Sequence, residues 1–197
     1  MRLIYLQKNI VKELLSLKKE KEASKEGKNN IAPFSYFNGV CSKPPTIMFA
    51  PARRGWDGKE KDTLTNIRDN NQFVVNMVSE SFAEKMVMCS TDFDSNVDEF
   101  EISGLNPIAS DKINPPRLLE SKISFECELN QIVEIGNNDA GSGFIVIGTV
   151  LLFHIDDEVY ENGHILLDKL EPIGRLAGNK YTRPSDVFEI SRKIKPE

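Results

Sequence analysis

Two long strand-like segments in the second half of the chain, joined by a polar turn, constrain the fold more than any other feature. In KISFECELNQIVEIG, Ile123, Phe125, Cys127 and Leu129 fall on one face and Ser124, Glu126, Glu128 and Asn130 on the other. A period of two is the mark of a strand with one buried face. After the turn NNDAGSG comes FIVIGTVLLFHID, an apolar run interrupted at Gly148, where a barrel strand can bend sharply. Shorter apolar segments before them read as further strands: IAPFSYFNGV, with Pro33 marking an irregular entry, PTIMFAP between Pro45 and Pro51, and QFVVNMV.

Helices fill the gaps. Asp62 or Thr63 is a fair N-cap for a short helix running to about Asn70. SESFAEKMVMCST opens with a Ser-x-x-Glu start at Ser81 and Glu84, and VDEFEISGL is a short helix stopped by Gly104. The tail LEPIGRLAGNKYTRPSDVFEIS is a loop with Gly174 and Gly178, followed by a last short strand. Strands dominate the central part, so the fold class is mainly β with helices (α+β), a β-barrel with inserted helices.

The amino terminus differs in character. Leu3, Leu6, Ile10, Leu14 and Leu17 recur at intervals of three or four, which predicts a helix over residues 1 to about 24. A solvated charge run, KKEKEASKEGK, follows. The division expected is an N-terminal helix and charged linker over 1–27 and the barrel domain over 28–197.

Charge and composition narrow the function. With 25 Lys+Arg against 30 Asp+Glu, the net charge is -5, the wrong sign for a general nucleic-acid binder. No apolar run approaches the roughly 18 to 20 residues that span a bilayer, and the first residues lack a signal-peptide pattern, so a cytoplasmic protein is expected. The three cysteines, Cys41, Cys89 and Cys127, have neither disulfide nor zinc spacing and read as reduced, packed thiols. His154 and His164 have no companion ligands, and no metal site is expected.

Chemistry concentrates between Asn30 and Ile67. A helix beginning near Asp62 presents free N–H groups and a positive dipole end, and Arg53, Arg54 and Lys61 stand just before it. That combination suits a phosphate monoester. The local sequence also fits a plainer account, in which Arg53 and Arg54 are exposed loop charges and Thr63 only caps the helix.

APFSYFNGVCSKPPTIMF, followed by RR, KDTLTNI and FVVN, resembles the flavin-reductase-like family of FMN-binding split barrels. STDF with VDEF, GLNPI, PPRLLES, ECEL, IVIGTVLLFHID and GRLAGNKY extend the likeness over about residues 28 to 190. The resemblance implies a flavoredoxin-like, six-stranded Greek-key split β-barrel, a homodimer, and FMN near the subunit interface. It would place Asn30, Pro33, Ser35 and Tyr36 along the isoalloxazine and ribityl chain, and Arg53, Lys61, Asp62 and Thr63 around the phosphate, with Arg54 and Asn66 as lesser candidates. Cys89, Ser90 and Thr91 match a segment that approaches the flavin in some relatives, and Arg175 with Tyr181 belongs to the GRL-G-x-x-Y stretch. FMN would carry the reaction, so no catalytic side chain is assigned. NADH or NADPH would dock transiently, because no GxGxxG nucleotide fold is present.

The implied activity is FMN-dependent oxidoreduction fed by a nicotinamide or redox partner. An FMN-binding electron carrier without its own nicotinamide oxidation, or a barrel that has lost flavin, are the alternatives. The third arises because relatives reach the APFS segment through a first barrel strand, whereas here that region reads as a lysine-rich helix. Either a helix replaces that edge or the amino terminus is an altered version of it. A missing strand would expose its neighbour's backbone and favour dimerisation or another cover.

Overall fold

The structure, a computed structural model, describes residues 13–18, 29–94, 96–191 and 193. Its frame is one antiparallel sheet of seven strands: β1 (Glu13–Lys18), β2 (Asn29–Phe34), β3 (Phe37–Ser42), β4 (Pro45–Phe49), β5 (Gln72–Met77), β6 (Ile123–Ile135) and β7 (Gly143–Ile155). They lie side by side in the order β2-β1-β5-β6-β7-β4-β3. The two long segments are therefore a single hairpin at the centre of the sheet, with Ile123 opposite Ile155 and Ile135 opposite Gly143.

The order of the strands dictates curvature. β2 and β3 form the two edges, yet only Ser35 and Tyr36 separate them in the chain. Six inter-strand steps of about 4.8 Å would hold the edges of a flat sheet roughly 29 Å apart. The three Cα–Cα steps from Phe34 to Phe37 reach at most about 11 Å. The sheet must curl until its edges meet, and Phe34 and Phe37 both point into the enclosed core. Among the described residues, β2 and β3 are not paired with each other, so the curled sheet stays open along that seam.

The amino-terminal helix is not what forms over 13–18. Those residues are β1, with Leu15 opposite Ala32 of β2 on one side and Val75 of β5 on the other. The spacing of Leu14 and Leu17 suits one face of a helix, whereas a strand places positions three apart on opposite faces. Pairing along both edges decides the matter, and Leu15, outside the helical stripe, is fully buried. Leu3, Leu6 and Ile10 lie outside the described residues. The first strand of the sheet is thus present, and the division at residue 28 falls inside the β1–β2 pair.

IAPFSYFNGV is two strands rather than one, broken at Ser35–Tyr36. Pro33, which has no N–H to give, sits on β2, an edge where one side of the backbone needs no strand partner. The last short strand expected in the tail is confined to Tyr181–Thr182, paired with Gly174–Arg175. Helix α1 (Asp62–Asn70) starts one residue earlier than a cap at Asp62 would give, since Lys61 is the N-cap, and it ends on Asn71 in the left-handed region. A 3-10 turn at Glu80–Phe82 leads into α2 (Ala83–Met88) without a Ser81 side-chain cap. α3 (Glu99–Ser103) is capped by Asp98, whose side chain accepts from Phe100 N, and stops at Gly104 with φ 64°.

Two cores result. Inside the curl, Phe34, Phe49 and Phe73 make a chain of tilted and edge contacts at 5.0 and 5.7 Å between ring centroids. Outside it, Ile31 packs with Phe82, Met86, Cys89 and Phe100 of the α2–α3 layer. Alternation along β2 sends Ile31 one way and Phe34 the other, so this edge strand is covered by α3 instead of water.

Candidate functional site

A cleft of about 280 Å³ opens where β2, the segment after β4, the start of α1 and the segment after α2 converge. β2 and its link to β3 contribute Asn30, Ala32, Pro33, Phe34, Ser35 and Tyr36. Beyond β4, the chain stays extended alongside β7, tied by Phe144 N to Pro51 O at 3.0 Å and Arg53 N to Ser142 O at 2.8 Å. Side chains of an extended chain alternate. Ala50, Ala52 and Arg54 accordingly line the cleft, and Arg53 does not.

Arg53 turns to the hairpin. Its guanidinium lies 2.6 Å from Glu134 Oε1, donates to Asn138 Oδ1 at 2.8 Å, and covers the Phe144 ring at 4.9 Å. The sequence ranked Arg53 above Arg54 as a phosphate ligand; in the structure it is Arg54, not Arg53, that lines the cleft. Arg54 faces the cleft with its Nε buried and without a hydrogen-bond partner, 3.7 Å from Asp57 Oδ1. Asn66, on the second turn of α1, is buried but outside the cleft lining.

Lys61, Asp62 and Thr63 bring the start of α1 to the cleft. Lys61 Nζ sits 2.9 Å from Asp92 Oδ1, and this ammonium is the main reason the Asp92 carboxyl titrates below its usual range. Behind them a buried relay crosses the floor. Thr63 Oγ1 donates to Asn30 Oδ1 at 3.3 Å, and Asn30 Nδ2 donates to Glu99 Oε1 at 2.7 Å. Asp98 adds a parallel tie by accepting from Asn29 N at 3.1 Å. Asp98 and Glu99, the cap and first residue of α3, thereby hold consecutive asparagines of β2.

Cys89, Ser90 and Thr91 close the far wall, with Asp92 and Phe93 beside them. Burial, with Glu99 adding to it, pushes the Cys89 thiol up to about 11. It is a protonated, packed group at neutral pH and no nucleophile. Arg175 also reaches the cleft, while Tyr181 serves as its strand partner.

Eleven of the thirteen residues expected from the sequence thus share one cavity, Arg53 and Asn66 being the two that do not. Ala50, Ala52, Ala32, Phe34, Asp92, Phe93 and Glu99 were not foreseen. The first two follow from alternation once the segment is known to be extended. Glu99 was legible only as one residue of the short VDEFEISGL helix.

Elsewhere, Asp111, Glu126 and His154 bring potential ligand atoms within 4.8 Å of one another. The Glu126 oxygens already accept from Asp111 N, Lys112 N and His154 Nε2 at 2.8, 2.7 and 2.6 Å. His154 is therefore part of a clamp that pins the 110s loop to the sheet. No helix among the described residues is long and apolar enough to cross a membrane.

The profile of the flavin reductase like domain matches residues 22–172. An uncharacterized protein of Aquifex aeolicus is 41% identical over 161 residues, covering 81% of this chain and 79% of its own. The uncharacterized protein YwrF of Bacillus subtilis is 35% identical, covering 86% and 83%. Among solved structures, nitrilotriacetate monooxygenase component B from Bacillus cereus superposes with a TM-score of 0.83 at 32% identity, over 96% of this chain and 92% of that one. The 2-nitrobenzoate 2-nitroreductase of Pseudomonas fluorescens gives 0.78 at 30% identity, over 97% and 88%. Family match, identity and superposition agree, and the chain belongs to the flavin reductase like domain family.

Proposed function

We propose that this protein is an FMN-binding oxidoreductase of the flavin-reductase type, working as a cytoplasmic homodimer with NADH or NADPH as the reductant. One observation carries the reading: the start of α1, with Lys61 and Thr63, shares a cleft with Arg54 on one side and with Asn30, Ser35 and Tyr36 on the other. Family membership and the flavin-linked names of the neighbours support it. The pairing of β1 with β2 and β5 supports this reading over a barrel that has lost flavin, since a strand runs where a lysine-rich helix was expected.

The residues fit the group. A phosphate monoester needs cations and N–H donors converging at a helix start, and Lys61, Arg54 and α1 supply them. Arg54 Nε, buried without a hydrogen-bond partner, is a donor that an anion would satisfy. Asn30, Pro33, Ser35 and Tyr36 would hold the ring and its ribityl chain, and Ala50 and Ala52 keep that wall low enough for a planar ring. When bound, the flavin supplies hydride acceptance at N5 and electron release to the next acceptor.

The chain's own part is positioning. Glu99 fixes the Asn30 amide, so its orientation is set before any ligand arrives. Asp92 holds the Lys61 ammonium at the mouth. Cys89 stays neutral and fills the wall. Titration of the purified protein with FMN, followed by flavin absorbance and then by NADH and NADPH oxidation, tests the reading. Saturable binding with nicotinamide oxidation is expected. Binding without oxidation would leave an electron carrier, and no binding would refute the flavin assignment.

A further inference from the structure

The rim of the cleft carries an aromatic ring that the FMN reading leaves unused. Trp56, the only tryptophan of the chain, is 70% exposed. Arg54, which lines the cleft, places its guanidinium over the indole, 5.5 Å from the ring centroid. The turn that presents the ring is firmly closed. Arg54 N donates to Lys59 O at 2.9 Å, Gly58 N donates to Arg54 O at 3.0 Å, and Lys59 N donates to Asp57 Oδ1 at 3.0 Å. Gly58, at φ 69°, takes the left-handed corner that such a turn requires. The indole N–H also faces Asp92, the partner of Lys61.

The indole is therefore held beside the cleft by two of its lining residues, Arg54 and Asp92, the acid paired with Lys61. A ring with a cation over one face retains 70% exposure only if its other face is open. An indole left in water on a rigid turn, next to two phosphate-binding cations, has the form of a base-stacking platform.

We propose that Trp56 stacks the adenine ring of a dinucleotide that enters the cleft past Lys61 and Arg54. The inference rests on the flavin reading above and extends it past the phosphate end of FMN. Adenine can arrive from two sources: FAD in the flavin position, or a nicotinamide dinucleotide docked beside bound flavin.

The test uses the full chain and the exposed-site variants Trp56→Ala and Trp56→Phe, whose circular dichroism should match the parent. Calorimetric titrations with FMN and FAD address the first source. FAD should bind at least about fivefold more tightly than FMN, with Trp56→Ala abolishing the preference, leaving FMN affinity unchanged, and Trp56→Phe keeping most of it. Steady-state oxidation of NADH and of reduced nicotinamide mononucleotide, with FMN present, addresses the second. There Trp56→Ala should raise the KM for NADH about fivefold or more while leaving the mononucleotide unaffected. Either pattern supports the platform and identifies its source. If flavin binds but Trp56→Ala moves neither the FAD preference nor the NADH KM, the platform is refuted and the flavin reading stands. If the parent protein binds neither flavin, both fall together.

Discussion

Asn30 and Glu99, 69 positions apart in the chain, are joined by a buried hydrogen bond of 2.7 Å. Asn30 is 3% exposed and Glu99 7%, so neither has water as a substitute partner. Glu99→Ala leaves the Asn30 amide without its acceptor, at a cost of about 1–3 kcal/mol. Glu99→Gln keeps a carbonyl oxygen in place and should recover most of that loss. Urea denaturation of the two variants measures the stability. Flavin titration should show weaker binding for Ala than for Gln, because the freed Asn30 amide is no longer oriented toward the cleft. Equal flavin affinities in the two variants would mean that Glu99 only supports the fold.

Arg53 and Arg54 separate stability from anion binding. Replacing Lys61, Thr63 or Arg54 with Ala should weaken FMN binding by about tenfold, the scale of one charge-assisted hydrogen bond. Riboflavin, which lacks the phosphate, should lose much less. Arg53→Ala should leave both ligands nearly unaffected and instead lower stability by about 1 kcal/mol, through lost contacts with Glu134 and Phe144. Parallel titrations of the four variants decide it. A larger FMN loss for Arg53→Ala than for Arg54→Ala would reverse the assignment.

The two arginines also show how far the sequence could be read. Stretches that carry the family likeness do converge on one cleft, which Ser35, Lys61, Thr63 and Ser90 line. The sequence could not tell Arg53 from Arg54, since the choice depends on the phase of alternation, which is set by where Pro51 and Ser142 pair with the neighbouring chain. The central hairpin was legible because each strand is thirteen residues long, the first alternating in sequence from Ile123 to Asn130 and the second mostly apolar on both sides of Gly148. β1 was not. Its six residues are too few to separate the two periods, and the strand exists through pairing with β2 and β5, which no local pattern encodes.

Gly148 was read as a bending point, and the structure adds a steric reason. A Cβ at this position would stand 2.4 Å from Phe73 Cζ and 3.0 Å from its Cε1, where no atom fits. The Phe73 ring is fully buried and wedged against Phe49, so it has little room to yield. Gly148→Ala should destabilise the protein by about 1–3 kcal/mol through overpacking. Combining it with Phe73→Leu, which removes the offending ring atoms, should cost less than the sum of the two single changes. Strict additivity in urea unfolding would show that the ring is not what Gly148 accommodates.

The clamp at Glu126 makes stability depend on pH. Burial alone would push this carboxyl up, but the Asp111 amide, the His154 ring and the Lys112 amide together outweigh it and hold it below its ordinary value. A depressed folded value means that the unfolded chain takes up the proton first as the solution is acidified. The stabilisation is therefore complete above about pH 4.5, the ordinary glutamate value, and is lost as pH falls through the lower folded value. Glu126→Gln cannot ionise and retains only one carbonyl acceptor for the two amides. Its stability deficit against the parent should be largest at neutral pH and should shrink below pH 4.5, as the parent's own carboxylate becomes protonated. Urea midpoints for both proteins between pH 7 and pH 3 provide the comparison. A deficit that stays constant across that range would mean that the lost contact is one of shape, with the charge on Glu126 contributing nothing to holding the 110s loop against the sheet.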